Sequence, residues 1–181
     1  MSTEQSETGA STLHTSIPPD LEKYAITRAE FFKQNPQVDA LAVGAVVYHK
    51  KRLLLIQRSA SDRAFPNFWE IPGGGSEDSD ETILHGVERE LMEETGFKAK
   101  RFVKLVAQLE WNDKRPGRTS KWAKVNVEVE VEGIETDGDL EIVLAPKEHQ
   151  AFVWATEEVV EEKRKDGTSL GIFSPREWTP T

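Results

Sequence analysis

The chain has 181 residues with 23 basic and 32 acidic side chains, which gives a net charge of −9 at neutral pH. This charge disfavours binding to extended DNA or RNA, because such binding depends on neutralising phosphates with lysine and arginine. The sequence has no cysteine, which excludes disulfides, thiolate-bound zinc, iron–sulfur clusters and a thiol nucleophile.

The N-terminal residues 1–19 are mostly small and polar, and we expect a disordered tail because they bury too little apolar surface to offset ordering. They lack the plan of a signal or transit peptide, and no apolar run in the chain approaches the ~20 residues of a membrane span. We therefore expect a cytoplasmic protein without a membrane partner, with a nuclear location left open. One domain is expected over residues 20–175, followed by a C-terminal tail at 176–181.

The first predicted element is a helix that Asp20 caps and that ends before Pro36. Further elements are predicted in this order: strands at 40–48 and 52–58 with an open turn type, a helix at about 80–95 ended by Gly96, strands at 102–111, 121–132 and 151–154, and a last helix capped by Thr156. This order indicates an α/β fold with a mixed sheet between helices.

The predicted central helix is unusually acidic. Residues 76–96 hold eight acids and one base, Arg89. The last turns contain Glu90, Glu93 and Glu94, where the helix dipole disfavours negative charge. Residues three and four apart share one face, so these carboxylates converge, and they also overlap the apolar stripe of the helix. A bound Mg²⁺ or Mn²⁺ would resolve this crowding, since both ions prefer carboxylate oxygens.

Three glycines, Gly73 to Gly75, precede this helix and follow a strand. They allow the backbone to turn tightly and to aim a carbonyl at the metal. Their pattern matches neither the phosphate-binding loop nor the dinucleotide fingerprint.

The residues now described resemble the Nudix box: Gly75, five residues, Glu81, seven residues, and the run Arg89-Glu90-Leu91-Met92-Glu93-Glu94-Thr95-Gly96-Phe97. Every defining position is filled over 23 residues, and the flanking strand order extends the resemblance loosely from Val38 to Lys165. Asp80 stands where many family members have glycine.

The resemblance implies a Nudix α/β/α sandwich, with a mixed β-sheet between helices, and a Mg²⁺- or Mn²⁺-dependent hydrolase. Such an enzyme cleaves the diphosphate linkage of a nucleoside diphosphate joined to another moiety. It implies these metal ligands: Glu90, Glu93, Glu94 and a main-chain carbonyl of Gly74 or Gly75. It also implies that Glu81 and Arg89 support the loop and orient the Glu90 region by ion pairing. The partner is then a small-molecule diphosphate, and a homodimer is an open alternative.

Outside the box, family members often add one more glutamate as metal ligand or general base, and Glu148 fits that position before Trp154. His149 is a second candidate base, although a lone loop histidine usually lies at the surface. Candidate substrate-binding residues are Arg58, Trp69, Glu70, Trp111, Arg115, Arg118 and Lys121, of which the cations would contact phosphate. Phe68 and Trp122 are further candidates for stacking on a base.

Two other interpretations remain open at this point. The metal site could act on a non-nucleotide diphosphate of the prenyl or inositol type, which an apolar pocket would favour. The chain could also be a Nudix-fold binding or regulatory protein, for which a degenerate box is expected. The intact carboxylate set favours an enzyme.

Overall fold

The structure is a computed structural model that describes residues 16–63, 65–133, 141–162, 164–165 and 168–169. Residues 1–15 of the predicted N-terminal tail and all of the C-terminal tail lie outside the described residues. The helices are a 3₁₀ turn at Glu22–Tyr24, α1 (Arg28–Gln34), α2 (Ile83–Thr95) and α3 (Glu157–Glu161). The strands are β1 (Ala40–Val46), β2 (Tyr48–His49), β3 (Arg52–Arg58), β4 (Trp69–Glu70), β5 (Ala99–Arg115), β6 (Arg118–Val131), β7 (His149–Ala155), β8 (Arg164–Lys165) and β9 (Thr168–Ser169).

The strands form a mixed sheet and an antiparallel sheet, with a separate β8–β9 pair. In the mixed sheet, β6 lies between a parallel β1 and an antiparallel β5. In the second sheet, β3 pairs antiparallel with β2, β4 and β7. The main apolar core joins α2 with residues of both sheets. The predicted mixed α/β fold is therefore confirmed, with the sheet divided in two.

Strand β6 shows why the alternation in the sequence predicted a half-buried strand. Its valines at 125, 127, 129 and 131 are at most 2% exposed. On the other face, Glu128 and Glu130 form ion pairs with Lys104 and Arg101. These two glutamates are thus explained by charge pairing on the outer face of the sheet.

The N-terminal helix prediction is wrong in its start. Thr27, not Asp20, caps α1, and it forms a capping box with Glu30. The Asp20 carboxylate instead accepts a hydrogen bond of 2.7 Å from the Leu105 amide of β5. A capping box satisfies two free amides at once, so it fixes the helix start more firmly than a single cap.

The central helix also starts later than predicted. Thr82 caps α2, accepting from the His85 amide, so residues 76–81 form a loop and not a first helical turn. Gly96 ends the helix in the left-handed conformation, as predicted. The later start changes which acidic side chains of the preceding loop face α2.

The loop between the predicted strands 102–111 and 121–132 is shorter than expected, because both strands extend into it and only a tight turn remains. β5 and β6 pair along a long hairpin that runs to Arg115 and Arg118, with Gly117 at a positive φ of 77° in the turn. In the second sheet, β7 is present and Thr156 caps α3, both as predicted. None of the helices in the described ranges has the length and apolar character that crossing a bilayer requires.

Candidate active site

The glycine segment runs beside β1 and is held to it by backbone hydrogen bonds. The Val43 amide donates to the Gly74 carbonyl at 2.9 Å, and the Ala45 amide donates to the Pro72 carbonyl at 2.8 Å. A Cβ on Gly73 would clash with the Val43 carbonyl oxygen. Glycine is therefore required for this close approach, which brings the segment against the last turns of α2.

Glu94 is the most constrained carboxylate of the site. It is 5% exposed, and its Oε2 accepts a hydrogen bond of 2.6 Å from the Gly73 amide. Its Oε1 lies 3.6 Å from His149 Nε2. Burial raises the pKa of Glu94 to about 9, against the opposing hydrogen bond from Gly73. Without a cation, this carboxyl is therefore protonated at neutral pH.

Glu90 and Glu93 differ in exposure although both pair with Arg89. Glu90 is buried against Gly74, where an added Cβ would lie 2.7 Å from its Oε2, and burial raises its pKa. The Glu93 side chain is 58% exposed and lies 3.1 Å from Arg89 Nη1. The three predicted metal ligands thus comprise two buried carboxylates and one at the surface.

The ion pair that the family resemblance assigns to Glu81 is made by Asp80. Arg89 Nε donates to Asp80 Oδ1 at 2.8 Å, and Arg89 Nη2 donates to the Gly75 carbonyl at 3.0 Å. Asp80 raises the pKa of Arg89 by hydrogen bonding. The Glu81 side chain is 84% exposed, because α2 begins only at Ile83 and the preceding loop turns it outward.

Gly86 makes room for this arrangement. A Cβ at Gly86 would lie 2.7 Å from Asp80 Oδ2, closer than real Cβ contacts allow. Asp80 therefore fits against α2 because residue 86 is glycine. Through Arg89, Asp80 positions both Glu90 and the Gly75 carbonyl.

We expect Asp80→Asn to raise the Mg²⁺ concentration for half-maximal hydrolysis by roughly 10- to 100-fold, the usual cost of losing a residue that orients metal ligands. Without the Asp80 charge, Arg89 is held less firmly against Glu90. Titration of activity with Mg²⁺ measures this effect. The matched variant Glu81→Gln changes an exposed carboxylate and should stay within about twofold of the parent protein; equal effects of the two substitutions would contradict the assignment.

Glu148 and His149 meet Glu94 at the start of β7. One potential ligand atom from each of the three residues lies within 4.8 Å of the others, which makes this a possible metal-binding group. Glu148 is exposed, whereas His149 is 3% exposed. Neither His149 ring nitrogen has a partner within hydrogen-bond distance among the described residues. The sequence favoured a surface position for this histidine, and the structure corrects that expectation.

These features fit a divalent cation. Glu90 and Glu94 are buried close together with raised pKa values, an arrangement that a positive ion would stabilise. Within the described part of the chain the buried His149 nitrogens have no hydrogen-bond partner, and imidazole nitrogen is a common metal ligand. The carboxylate oxygens, which dominate this donor set, suit Mg²⁺ or Mn²⁺ better than a soft metal.

A cavity of about 290 Å³ adjoins the glycine segment and is lined by both cations and aromatic rings. Arg58 lines it and is held by Asp62 at 2.5 Å and by Glu70 at 2.6 Å. Lys124 lines it as well, and burial lowers the pKa of this lysine although Glu70 and Glu94 oppose the shift. The cavity therefore places the fixed positive charge of Arg58, and Lys124, beside the carboxylate cluster.

Glu70 links these two parts of the site. Its side chain is 13% exposed and its Oε1 lies 3.7 Å from His149 Nε2. Burial acts to raise the pKa of Glu70, but His149, Lys124 and Arg58 outweigh it and hold the pKa below the usual value. Glu70 is therefore an ionised group that positions Arg58.

The aromatic wall of the cavity is formed by the β5–β6 hairpin. Trp111 and Trp122 are cross-strand partners whose rings stack at 18° with centroids 5.9 Å apart, and both line the cavity. Trp69 instead packs in a smaller core cluster with Leu55 and is 8% exposed. Phe68 makes an edge contact with the Phe65 ring.

The remaining predicted cations lie near the hairpin tip. Arg115 lines the cavity and its Nε donates to Asp113 at 3.0 Å, although 74% of its side chain is exposed. Arg118 lines a smaller adjacent cavity of about 190 Å³. Lys121 pairs with Glu110 at 2.7 Å, and the structure does not bring it to the larger cavity.

Sequence reasoning missed Lys124, Asp113 and the pairing of Asp80. The signal for Lys124 and Asp113 was present in the hairpin register, since both lie on the strand face that carries Trp111 and Trp122. That signal requires knowing which β5 residue opposes which β6 residue. The irregular register of β5 hides this in the sequence.

The mixed α/β fold, with buried carboxylates beside a cavity, places the chain in a class of α/β proteins that the family comparison identifies. The model of the NUDIX domain matches residues 38–173, and the chain belongs to the Nudix family.

The chain is also similar to individual known proteins. Over 47 residues the chain is 50% identical to the m7GpppN-mRNA hydrolase NUDT17 of Danio rerio; this match spans 26% of the chain and only 15% of that protein. The ORF135 protein of E. coli shares the fold with a TM-score of 0.54 and 23% identity, covering 78% of this chain and 86% of that one. The MutT protein of Methanosarcina mazei Go1 does so with a TM-score of 0.53 and 24% identity, covering 69% and 83%.

Proposed function

We propose that this chain is a Mg²⁺- or Mn²⁺-dependent pyrophosphohydrolase that cleaves the diphosphate linkage of a nucleoside diphosphate joined to another moiety. Nucleoside triphosphates, nucleotide sugars and dinucleotides all have this linkage. The observation that carries the proposal is the buried carboxylate pair, Glu90 and Glu94, beside a cavity lined by Lys124 and by Arg58, which two carboxylates hold in place. Such a site suits a polyanion together with a divalent ion.

The residues that would hold the metal come from three segments: Glu90, Glu93, Glu94, Glu148, His149 and the carbonyl of Gly74 or Gly75. When bound, the ion neutralises diphosphate oxygens and lowers the pKa of a water. Arg58 binds phosphate oxygens in a fixed orientation because Asp62 and Glu70 both hold it.

The attacking water must lose a proton as it forms the new phosphorus–oxygen bond and the bridging bond breaks. Glu148 is the better acceptor for this proton because its side chain is exposed, whereas the His149 ring is buried. Arg89 cannot do so because its guanidinium stays protonated, and its N–H groups donate to Asp80, Glu90 and Gly75. Its role is to position the ligands.

A nucleotide moiety is supported by the cavity wall. Trp111 and Trp122 offer aromatic faces, and Asp113 adds a carboxylate, which a prenyl chain would leave without a donor. The relative from Danio rerio is named for hydrolysis of m7GpppN-mRNA, which is a nucleotide-linked phosphate chain. A cytoplasmic location, a homodimer and the absence of extended nucleic-acid binding stay predictions from the sequence.

A substrate panel tests this proposal. Nucleoside triphosphates, nucleotide sugars, dinucleotides including an m7GpppN dinucleotide, and prenyl and inositol diphosphates are assayed with Mg²⁺, with Mn²⁺ and with a chelator, and products are separated chromatographically. We expect metal-dependent release of a nucleoside monophosphate from at least one nucleotide. Preferred cleavage of a prenyl or inositol diphosphate would favour the alternative substrate class. Binding without cleavage of any compound would indicate a binding or regulatory protein.

A further inference from the structure

One face of the β5–β6 hairpin lines the cavity, and the chemical character of its side chains changes along the strands. On β6, Lys124, Trp122 and Ser120 follow one another at every second residue, about 7 Å apart. Their β5 partners include Trp111 opposite Trp122 and Asp113 opposite Ser120. The face therefore runs from a cation, through an aromatic pair, to a carboxylate.

The cation end of this face lies at the carboxylate cluster. Lys124 interacts electrostatically with Glu70, Glu90 and Glu94, so it marks the end at which a diphosphate and its metal bind. In any nucleotide the ribose lies between the phosphate and the base. A group that binds beyond the aromatic pair therefore meets the far edge of the base and not the ribose.

Asp113 stands at that far edge with an unused acceptor. Its Oδ2 accepts a hydrogen bond from Arg115 Nε, whereas its Oδ1 is buried and has no hydrogen-bond partner among the described residues. The side chain is only 12% exposed, yet it lines the cavity. A buried carboxylate oxygen without a donor is costly, and a bound N–H group would remove this cost.

Resting on the proposed function, we propose that Trp111, Trp122 and Asp113 form a base-recognition site selective for guanine. An ionised carboxylate is acceptor-only and suits two adjacent N–H donors. Guanine presents such a pair at its N1–H and 2-amino group. At the corresponding edge, adenine and uracil each present only one donor group. The acceptors beside that group would face the carboxylate and be repelled by it. The tryptophans supply stacking that any base can use, so Asp113 supplies the selectivity.

Nucleoside monophosphate binding to the full chain tests this site without requiring hydrolysis. GMP, IMP, AMP and UMP are titrated with Mg²⁺ present while tryptophan fluorescence is followed. GMP should bind most tightly, and IMP, which lacks only the 2-amino group, should bind more weakly. Asp113→Asn should weaken GMP binding by roughly 10- to 100-fold, the range for losing a bidentate contact to a base, and should leave UMP binding nearly unchanged.

The control is Glu110→Gln, the same chemical change on the opposite face of the same strand. It should leave the order of affinities unchanged. Equal binding of GMP, IMP and AMP by the parent protein would overturn the proposal, and this comparison needs no variant to fold. If the panel shows hydrolysis without a preference for guanine, this inference fails and the proposed function stands. If GMP binds preferentially but no compound is hydrolysed, this inference stands and the proposed function fails.

Discussion

Replacing Glu94 with glutamine is expected to lower kcat/KM for the diphosphate substrate by roughly 10²–10³-fold, the scale of losing one group that stabilises developing charge. Glutamine is nearly the same size and its carbonyl oxygen can keep the 2.6 Å hydrogen bond from the Gly73 amide. The fold should therefore persist. The amide cannot supply the negative charge that holds a divalent ion against Gly73 and His149. Steady-state kinetics over a range of Mg²⁺ concentrations measure the loss.

The matched control for this substitution is Glu88→Gln, which makes the same change on the same helix at a position where the box pattern does not specify the residue. It should keep kcat/KM within about twofold of the parent value, as expected of a substitution outside the site. Glu93→Gln should fall between the two, because the Glu93 side chain is 58% exposed and its charge is better screened. Turnover by Glu94→Gln at the parent rate would show that the metal site lies elsewhere.

The buried carboxylates could be predicted because two independent patterns conflict in one helix. The apolar stripe of α2 requires burial, whereas Glu90 and Glu94 within it carry charge. Only a ligand or a protonated state resolves that conflict, so the sequence indicated a site before any fold was known. Strand β6 was predictable for a simpler reason. Strict alternation of apolar and polar residues fits a strand that buries one face and exposes the other.

Other parts of the site depend on geometry that short patterns do not determine. Whether Asp80 or Glu81 meets Arg89 depends on where α2 begins, and the Thr82 cap sets this start at Ile83, three residues beyond Asp80. His149 is buried because β7 pairs with β3 and carries it under Glu94, which is a long-range contact. Asp113 reaches the cavity only through the β5–β6 register. Each of these depends on tertiary packing and not on local preference.

The net charge of −9 of the whole chain does not represent the local charge at the site. Glu90 and Glu94 are acidic, yet Arg58 and Lys124 line the cavity beside them. With a divalent ion held by the carboxylates, the charge that a substrate meets there is close to neutral or positive. An anionic small molecule is therefore compatible with a strongly acidic chain, whereas a long nucleic-acid backbone would also meet the acidic surface.

The metal-free protein should lose stability as pH rises from about 5 to about 9. The pKa of Glu94 is about 9 in the folded protein, raised by burial from an ordinary value of 4.5. Between these values the folded state binds more protons than the unfolded chain, so the free energy of unfolding falls with increasing pH. One proton corresponds to about 1.4 kcal/mol per pH unit. The raised pKa of Glu90 acts in the same direction, whereas the lowered pKa of Lys124 opposes it. Urea denaturation in a chelator at pH 6, 7 and 8 measures the slope.

Glu94→Gln should flatten this slope and make the metal-free protein more stable than its parent at pH 8, although the same substitution removes activity. Glu81→Gln, which alters an exposed carboxylate, should keep the parent slope. Mg²⁺ should oppose the loss most strongly at high pH, because binding requires ionised carboxylates. At acid pH the slope should reverse, since the pKa values of Glu70 and Asp80 lie below their ordinary values and protonating these groups costs stability. A Glu94→Gln protein that keeps the parent slope between pH 6 and pH 8 would show that Glu94 is already ionised in the folded state.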